Sequence, residues 1–232
     1  MTECLFDTVR AVVFDLDDTL YPEQQYVRSG LRAVAGHLAG PEHGIDEVYN
    51  FLWQQFEHGD RRRVFNTTLT RIGRPDDEQV IAELVGLYRC HRPALHLDDA
   101  TERIIRELRR RGYRLGLLTD GYLPAQRLKV EALQLQDRLD HIIYTEQLGR
   151  EFWKPHTRAF EMMGDFLACT GQQCVYVADN PAKDFIAPAE LGWHSVRVQL
   201  PQGLHRDCSV PPADEAQTQI GELAELLALL PG

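Results

Sequence analysis

Three stretches of the 232-residue sequence place carboxylates directly after apolar runs. Ala11-Val12-Val13-Phe14 leads into Asp15-Leu16-Asp17-Asp18-Thr19. Acids at the end of a buried strand are costly unless they bind a cation or perform chemistry, and ligand sites of open α/β sheets lie at that carboxyl edge. Strand alternation puts Asp15 and Asp17 on the same side. Taken alone, the stretch fits an acidic turn equally well. Leu115-Gly116-Leu117-Leu118 ends in Thr119-Asp120-Gly121, where a hydroxyl and the amides of a tight turn entering a helix can hold phosphate oxygens. Cys174-Val175-Tyr176-Val177 is followed by Asp179-Asn180-Pro181-Ala182-Lys183-Asp184. There Pro181 suits the first turn of a helix, and the alternative reading is helix capping by Asp179 or Asn180.

Cation usage adds a fourth signal. The chain has three lysines against 22 arginines, and one of the three, Lys154, sits in Phe152-Trp153-Lys154-Pro155. A lysine kept where arginine is the default suggests a compact point charge beside a phosphate or carboxylate. Lys183 is expected to pair with Asp179 or Asp184, and Lys129 to face solvent on a helix.

These residues need a scaffold. Five short runs read as buried parallel strands: the three above, His141-Ile142-Ile143-Tyr144 and Ser195-Val196-Arg197-Val198. Helical segments around 98–111, 122–135, 156–169 and 181–191 alternate with the later ones, the pattern of a Rossmann-like, doubly wound α/β sheet. The first two strands lie too far apart for a single crossover helix. Between them, segments near 23–39, 45–58 and 77–91 carry apolar residues at helical spacing, such as Val48, Phe51, Leu52 and Val80, Leu84, Leu87. The expected organisation is a catalytic core of residues 1–20 and 99–232 with an all-helical insert over 21–98. Residues 215–230, after Pro211-Pro212, read as one amphipathic helix on the core.

With the motifs in this order, the sequence resembles the haloacid dehalogenase-like hydrolases, in the subclass whose helical cap follows the first strand. The family's DxDx[TV] motif matches Asp15, Asp17 and Thr19, its second-strand hydroxyl matches Thr119, its lysine Lys154, and its last acidic motif Asp179 and Asp184. Ala178 stands where Gly or an acid is common. Asp120 stands where Asn is frequent, and its extra negative charge is tolerable beside a phosphate only if the side chain turns away.

The resemblance implies a phosphatase acting on a small phosphate monoester, a sugar phosphate or a nucleoside monophosphate. Asp15 would attack phosphorus to form an aspartyl-phosphate. Asp17 would protonate the leaving alkoxide and then deprotonate the attacking water. Magnesium would be held by Asp15, the Asp17 backbone carbonyl, Asp179 and Asp184. Lys154, Thr119 and the amides around Asp120 and Gly121 would hold the phosphoryl oxygens. The family's dehalogenases lack the second aspartate, present here as Asp17, and its phosphonatases use a cap lysine that residues 21–98 do not contain. A phosphomutase on the same fold, or an inactive binding module, stays as an alternative. Substrate choice would fall to the insert, where Arg61-Arg62-Arg63 offers either a second anion contact or a solvated loop. Arg28 and Arg32 are similar candidates, and Trp53 and Phe56 are either insert core or a lid. Arg109-Arg110-Arg111 before Gly112 reads as a helix C-terminus.

Composition narrows the partners. A net charge of −10 argues against nucleic acid. No stretch approaches the about 20 apolar residues of a membrane span. The start, Met1-Thr2-Glu3-Cys4, lacks a secretory pattern, so a cytoplasmic monomer or homodimer is expected. Five scattered cysteines without CxxC predict buried free thiols rather than disulfides or a zinc site.

Overall fold

The computed structural model describes residues 6–231 and divides into two compact units, residues 1–23 with 96–232 and residues 24–95. The boundary differs from the expected 21–98 by three residues at each end. Among the described residues, no helix is long and apolar enough to cross a membrane.

The larger unit is built on six parallel strands: β1 (Ala11–Phe14), β2 (Arg114–Thr119), β3 (His141–Tyr144), β4 (Cys174–Ala178), β5 (His194–Val198) and β6 (Thr218–Ile220). Their order is β3-β2-β1-β4-β5-β6. Residues of β1 and β4 are all buried, the continuous apolar reading of strands covered on both faces. Since β1 lies between β2 and β4, with Phe14 level with Leu117 and Val177, the three motif-bearing strand ends emerge side by side. One face is packed by Leu118, Phe160, Met163, Tyr176 and Trp193.

The smaller unit holds α1 (Gln24–Leu38), α2 (Ile45–His58), α3 (Val64–Arg71) and α4 (Glu78–Cys90). Burial of Val27, Leu31, Val34 and Leu38 on α1 follows helical spacing, and they form a core with Val48, Leu52, Leu69 and Leu84. Gly30 permits the close approach of α1 to α4, because a Cβ there would lie 2.6 Å from the Tyr88 ring. Asp77 caps α4 by accepting from Val80 N at 3.0 Å.

The larger unit continues with α5 (Asp99–Arg110), α6 (Leu123–Ala132), α7 (Arg158–Leu167), α8 (Ile186–Glu190) and α9 (Leu226–Leu229). Helix α5 is capped by Asp98 and buries Ile104, Ile105 and Leu108. Its arginine-rich end terminates before Gly112 at φ 85°, as the sequence predicts.

Three expectations need correction. The tail is not one helix: Thr218–Ile220 adds as a parallel edge strand beside β5, followed by a 3-10 turn (Leu223–Glu225) and α9 alone. Helix α8 begins at Ile186 rather than near 181 because Asn180 organises the preceding turn. Its side chain accepts from Ala182 N at 3.1 Å, and its backbone N–H donates to Asp184 Oδ2 at 3.0 Å. Not every thiol is buried: Cys169 and Cys174 are, while Cys90 is exposed and Cys208 half-buried. Cys4 lies outside the described residues.

Candidate active site

Strand β1 delivers Asp15 to the carboxyl edge with its N–H still bonded to Val177 O at 2.9 Å. The ladder then stops, and Asp18 enters the left-handed region at φ 51°, a conformation that aspartate tolerates better than most residues. Its carboxylate fastens the turn by accepting from Glu23 N and Leu204 N, both at 2.8 Å.

Asp15 is buried and meets Lys154, whose Nζ lies 2.7 Å from Asp15 Oδ1, 2.7 Å from Asp184 Oδ1 and 3.0 Å from Tyr176 Oη. An ammonium has three N–H donors, and these are its three oxygen neighbours. Burial disfavours the charged lysine, but Asp15 and Asp184 outweigh it and hold its pKa well above the usual value. The Asp184 contact is an ion pair by distance only, because Oδ1 receives no well-aligned hydrogen bond. In the sequence Tyr176 reads only as a strand residue; its own hydroxyl donates to Leu118 O at 3.3 Å.

One carboxylate oxygen from each of Asp15, Asp179 and Asp184 lies within 4.8 Å of the others, all three buried. Three acids against one ammonium leave excess negative charge. Burial, then Asp15 and Asp184, pushes the Asp179 carboxyl up to about 9. Burial also pushes Asp15 up to about 6, with Lys154 opposing and Asp184 reinforcing the shift. Such an all-oxygen set, short of positive charge and with a poorly bonded oxygen on Asp184, fits a hard divalent cation such as magnesium.

Asp17 has a separate surrounding. Its Oδ1 accepts from the Tyr21 hydroxyl and from Lys129 Nζ at 2.8 Å, and its Oδ2 accepts from Lys129 Nζ at 2.8 Å and Gln126 Nε2 at 3.1 Å. Burial would raise its pKa, but Lys129 and these hydrogen bonds lower it overall. Lys129 is therefore buried at the site, not solvent-facing. Beside this cluster the half-buried Glu23, unremarked in the sequence, has its carboxyl pushed up to about 7 by burial and by Asp17.

Thr119 is buried at the end of β2. Asp120 turns into a ring of donors: Thr145 Oγ1 at 2.7 Å, Lys154 N at 3.3 Å and Lys183 Nζ at 3.2 Å. Burial raises the Asp120 pKa, yet Lys154 and Lys183 bring it below the ordinary value. Lys183 thus pairs with Asp120 rather than with Asp179 or Asp184. Gly121 adopts φ 128°, and a Cβ there would meet Gln126 Nε2 at 2.7 Å, so only glycine suits this turn.

Arg61, Arg62 and Arg63 lie in the 24–95 unit as an exposed turn of 3-10 helix capped by Asp60. Arg61 Nε donates to Phe56 O at 3.0 Å, and its guanidinium lies 4.5 Å from the Phe56 ring centre. Arg28 stacks on Trp53 at 3.8 Å, and Arg32 pairs with Asp46 at 2.5 Å in an exposed bridge. Trp53 and Phe56 stack on each other and pack against that unit's core.

Known proteins resemble this chain over most of its length. A glyceraldehyde 3-phosphate phosphatase of Methanopyrus kandleri is 28% identical over 207 residues, covering 86% of this chain and 87% of that protein. A phosphoserine phosphatase of Thermus thermophilus is 29% identical, covering 72% of this chain and 63% of its own length. In fold, the chain is similar to the magnesium-bound HAD-hydrolase YfnB of Bacillus subtilis, with TM-score 0.65, 20% identity and coverage of 95% and 97%. The pattern of haloacid dehalogenase-like hydrolases matches residues 9–192, embracing every acid and lysine of the site. The chain belongs to the haloacid dehalogenase-like hydrolases.

Proposed function

We propose that this enzyme is a magnesium-dependent phosphatase of small phosphate monoesters, sugar phosphates first among them. The observation that carries the reading is the buried constellation of Asp15, Lys154, Asp179 and Asp184, together with relatives, matched over more than four-fifths of both chains, that are named as phosphatases of a triose phosphate.

Asp15 attacks phosphorus, the P–O bond to the alcohol breaks, and the departing oxygen takes a proton from Asp17. Water then attacks the aspartyl-phosphate while Asp17 accepts its proton, which releases phosphate and restores Asp15. Lys154 neutralises charge on the phosphoryl oxygens, aided by Thr119 and the turn at Asp120 and Gly121. Asp15, the Asp17 carbonyl, Asp179 and Asp184 would hold magnesium, which offsets repulsion between the attacking carboxylate and the substrate dianion. Residues 24–95 act as the specificity cap, with Arg61, Arg62 and Arg63 as candidate contacts for a second anionic group. The enzyme works in the cytoplasm on free metabolites.

The test is phosphate release from a panel holding glyceraldehyde 3-phosphate, phosphoserine, ribulose 1,5-bisphosphate and nucleoside monophosphates, with magnesium and with EDTA. Magnesium-dependent turnover concentrated on the sugar phosphates is expected. Turnover indifferent to EDTA, or none on any phosphate ester, overturns the reading.

A further inference from the structure

Each of the three lysines is matched to a different acid of the site: Lys154 to Asp15 and Asp184, Lys183 to Asp120, and Lys129 to Asp17. Of these lysines, Lys129 has no part in the chemistry described so far. Lys129 is only 4% exposed, and a buried ammonium is costly unless paired and hydrogen-bonded. On α6, Gln126 and Lys129 are three residues apart and therefore share a face. Both are buried, and both reach Asp17.

Asp17 needs such support. It lies one residue before the left-handed turn at Asp18, beyond the β1 ladder, so sheet hydrogen bonds do not fix its side chain. Lys129 Nζ stands 2.8 Å from both Asp17 oxygens, which fixes the plane of the carboxylate as well as its position. Gln126 Nε2 reaches Asp17 Oδ2 and also donates to Asp120 O, joining this clamp to the end of β2.

We propose that Lys129 is the positioning residue of the proton-transfer carboxylate, holding Asp17 in one orientation through both oxygens, with Gln126 as its second support. The role rests on the phosphatase reading above. Lys129 acts through Asp17: its charge favours the ionised form that serves as base, while its two hydrogen bonds supply the orientation that the acid step also needs, so its loss harms only the steps that Asp17 serves.

The experiment is a double-mutant cycle of Lys129→Met and Asp17→Asn, read by single-turnover phosphorylation with an alkyl and a nitrophenyl phosphate. Lys129→Met should slow phosphoenzyme formation from the alkyl ester by on the order of 100-fold, the range of general acid catalysis. With the nitrophenyl ester, whose leaving group needs little protonation, the same step should change by less than about 5-fold. Added to Asp17→Asn, Lys129→Met should cost no more than about 2-fold further. Should the single variant fail to fold, the double variant, which has no lone buried charge, still gives the last comparison against Asp17→Asn. Equal losses on both esters, or a full further loss in the Asp17→Asn background, would overturn the proposal. An inactive wild type would instead sink the phosphatase reading, before any variant is compared.

Discussion

Lys154 Nζ lies 2.7 Å from Asp15 Oδ1, so the proposed nucleophile and a buried ammonium are already in contact. This ammonium compensates two buried acids; on the proposed mechanism it also serves the charge that develops on the phosphoryl oxygens. Lys154→Ala should therefore lower kcat by about 10²- to 10³-fold, the scale of losing one preorganised donor. It should also destabilise the fold by about 3 kcal/mol or more, because Asp15 and Asp184 lose their shared cation. Steady-state kinetics beside thermal melts would check both. A stable variant with unchanged kcat would make Lys154 purely structural.

A pH dependence of stability follows from the raised carboxyl groups. An unfolded aspartate releases its proton near 3.8, whereas native Asp179 keeps it to about 9. Between these values the native state binds more protons than the unfolded chain, so stability falls as pH rises. Asp15, raised to about 6, and Glu23, raised to about 7, act with the same sign over narrower windows. In EDTA, Tm should decline as pH climbs from about 5 to about 9, and Asp179→Asn should flatten that decline. Added magnesium should raise Tm more at high pH than at low, because cation and proton compete for the same carboxylates. A metal-free Tm that rises over this range would contradict the assignment.

In the 24–95 unit, Arg61 is committed to the Phe56 carbonyl and ring, which makes Arg62 and Arg63 the better candidates for reading a substrate. If they do, Arg62→Ala and Arg63→Ala should raise KM for the preferred sugar phosphate by about 10-fold and leave nitrophenyl phosphate hydrolysis within about 2-fold, since only binding to the distal anion is lost. Matched effects on both substrates would assign the turn to solvent.

Much of this arrangement is legible in the sequence, because burial and chemistry pull in opposite directions at strand ends. A run such as Ala11–Phe14 must be inside, so the acids that follow need a reason to be there. The same logic reaches Lys129 only in part. In a chain with three lysines, scarcity singles out all of them equally, yet the helical context of Lys129 points to solvent. Only sheet order shows that α6, which follows β2, turns its Gln126–Lys129 face toward the loop after β1. Long-range pairing likewise hid β6: Thr218-Gln219-Ile220 is too short and polar to announce a strand, and its structure comes from the exposed edge of β5. The sequence around Asp120 does not show what balances its charge; Thr145 and Lys183, 25 and 63 residues away, do.

The two aspartates of the first motif, two residues apart, occupy different electrostatic settings and should fail differently. Asp15 lies beside Asp179, Asp184 and Lys154, and burial raises its carboxyl to about 6; on the proposed mechanism it carries the nucleophilic oxygen. Asp15→Asn should abolish turnover and covalent labelling together, since an amide oxygen is a poor nucleophile. Asp17 lies among donors, and its substitution leaves the nucleophile and the backbone carbonyl in place. Asp17→Asn should still form the phosphoenzyme from nitrophenyl phosphate, whose phenolate departs without help, but should form it at least about 100-fold more slowly from an alkyl phosphate. The nitrophenyl reaction should then stall with labelled Asp15 accumulating, because water lacks its base. Rapid-quench labelling of both variants on both esters distinguishes the roles. Label on Asp15→Asn at the native site, or an Asp17→Asn variant slowed equally on both esters with no trapped intermediate, would show that nucleophilic attack and proton transfer are not divided between Asp15 and Asp17 in this way.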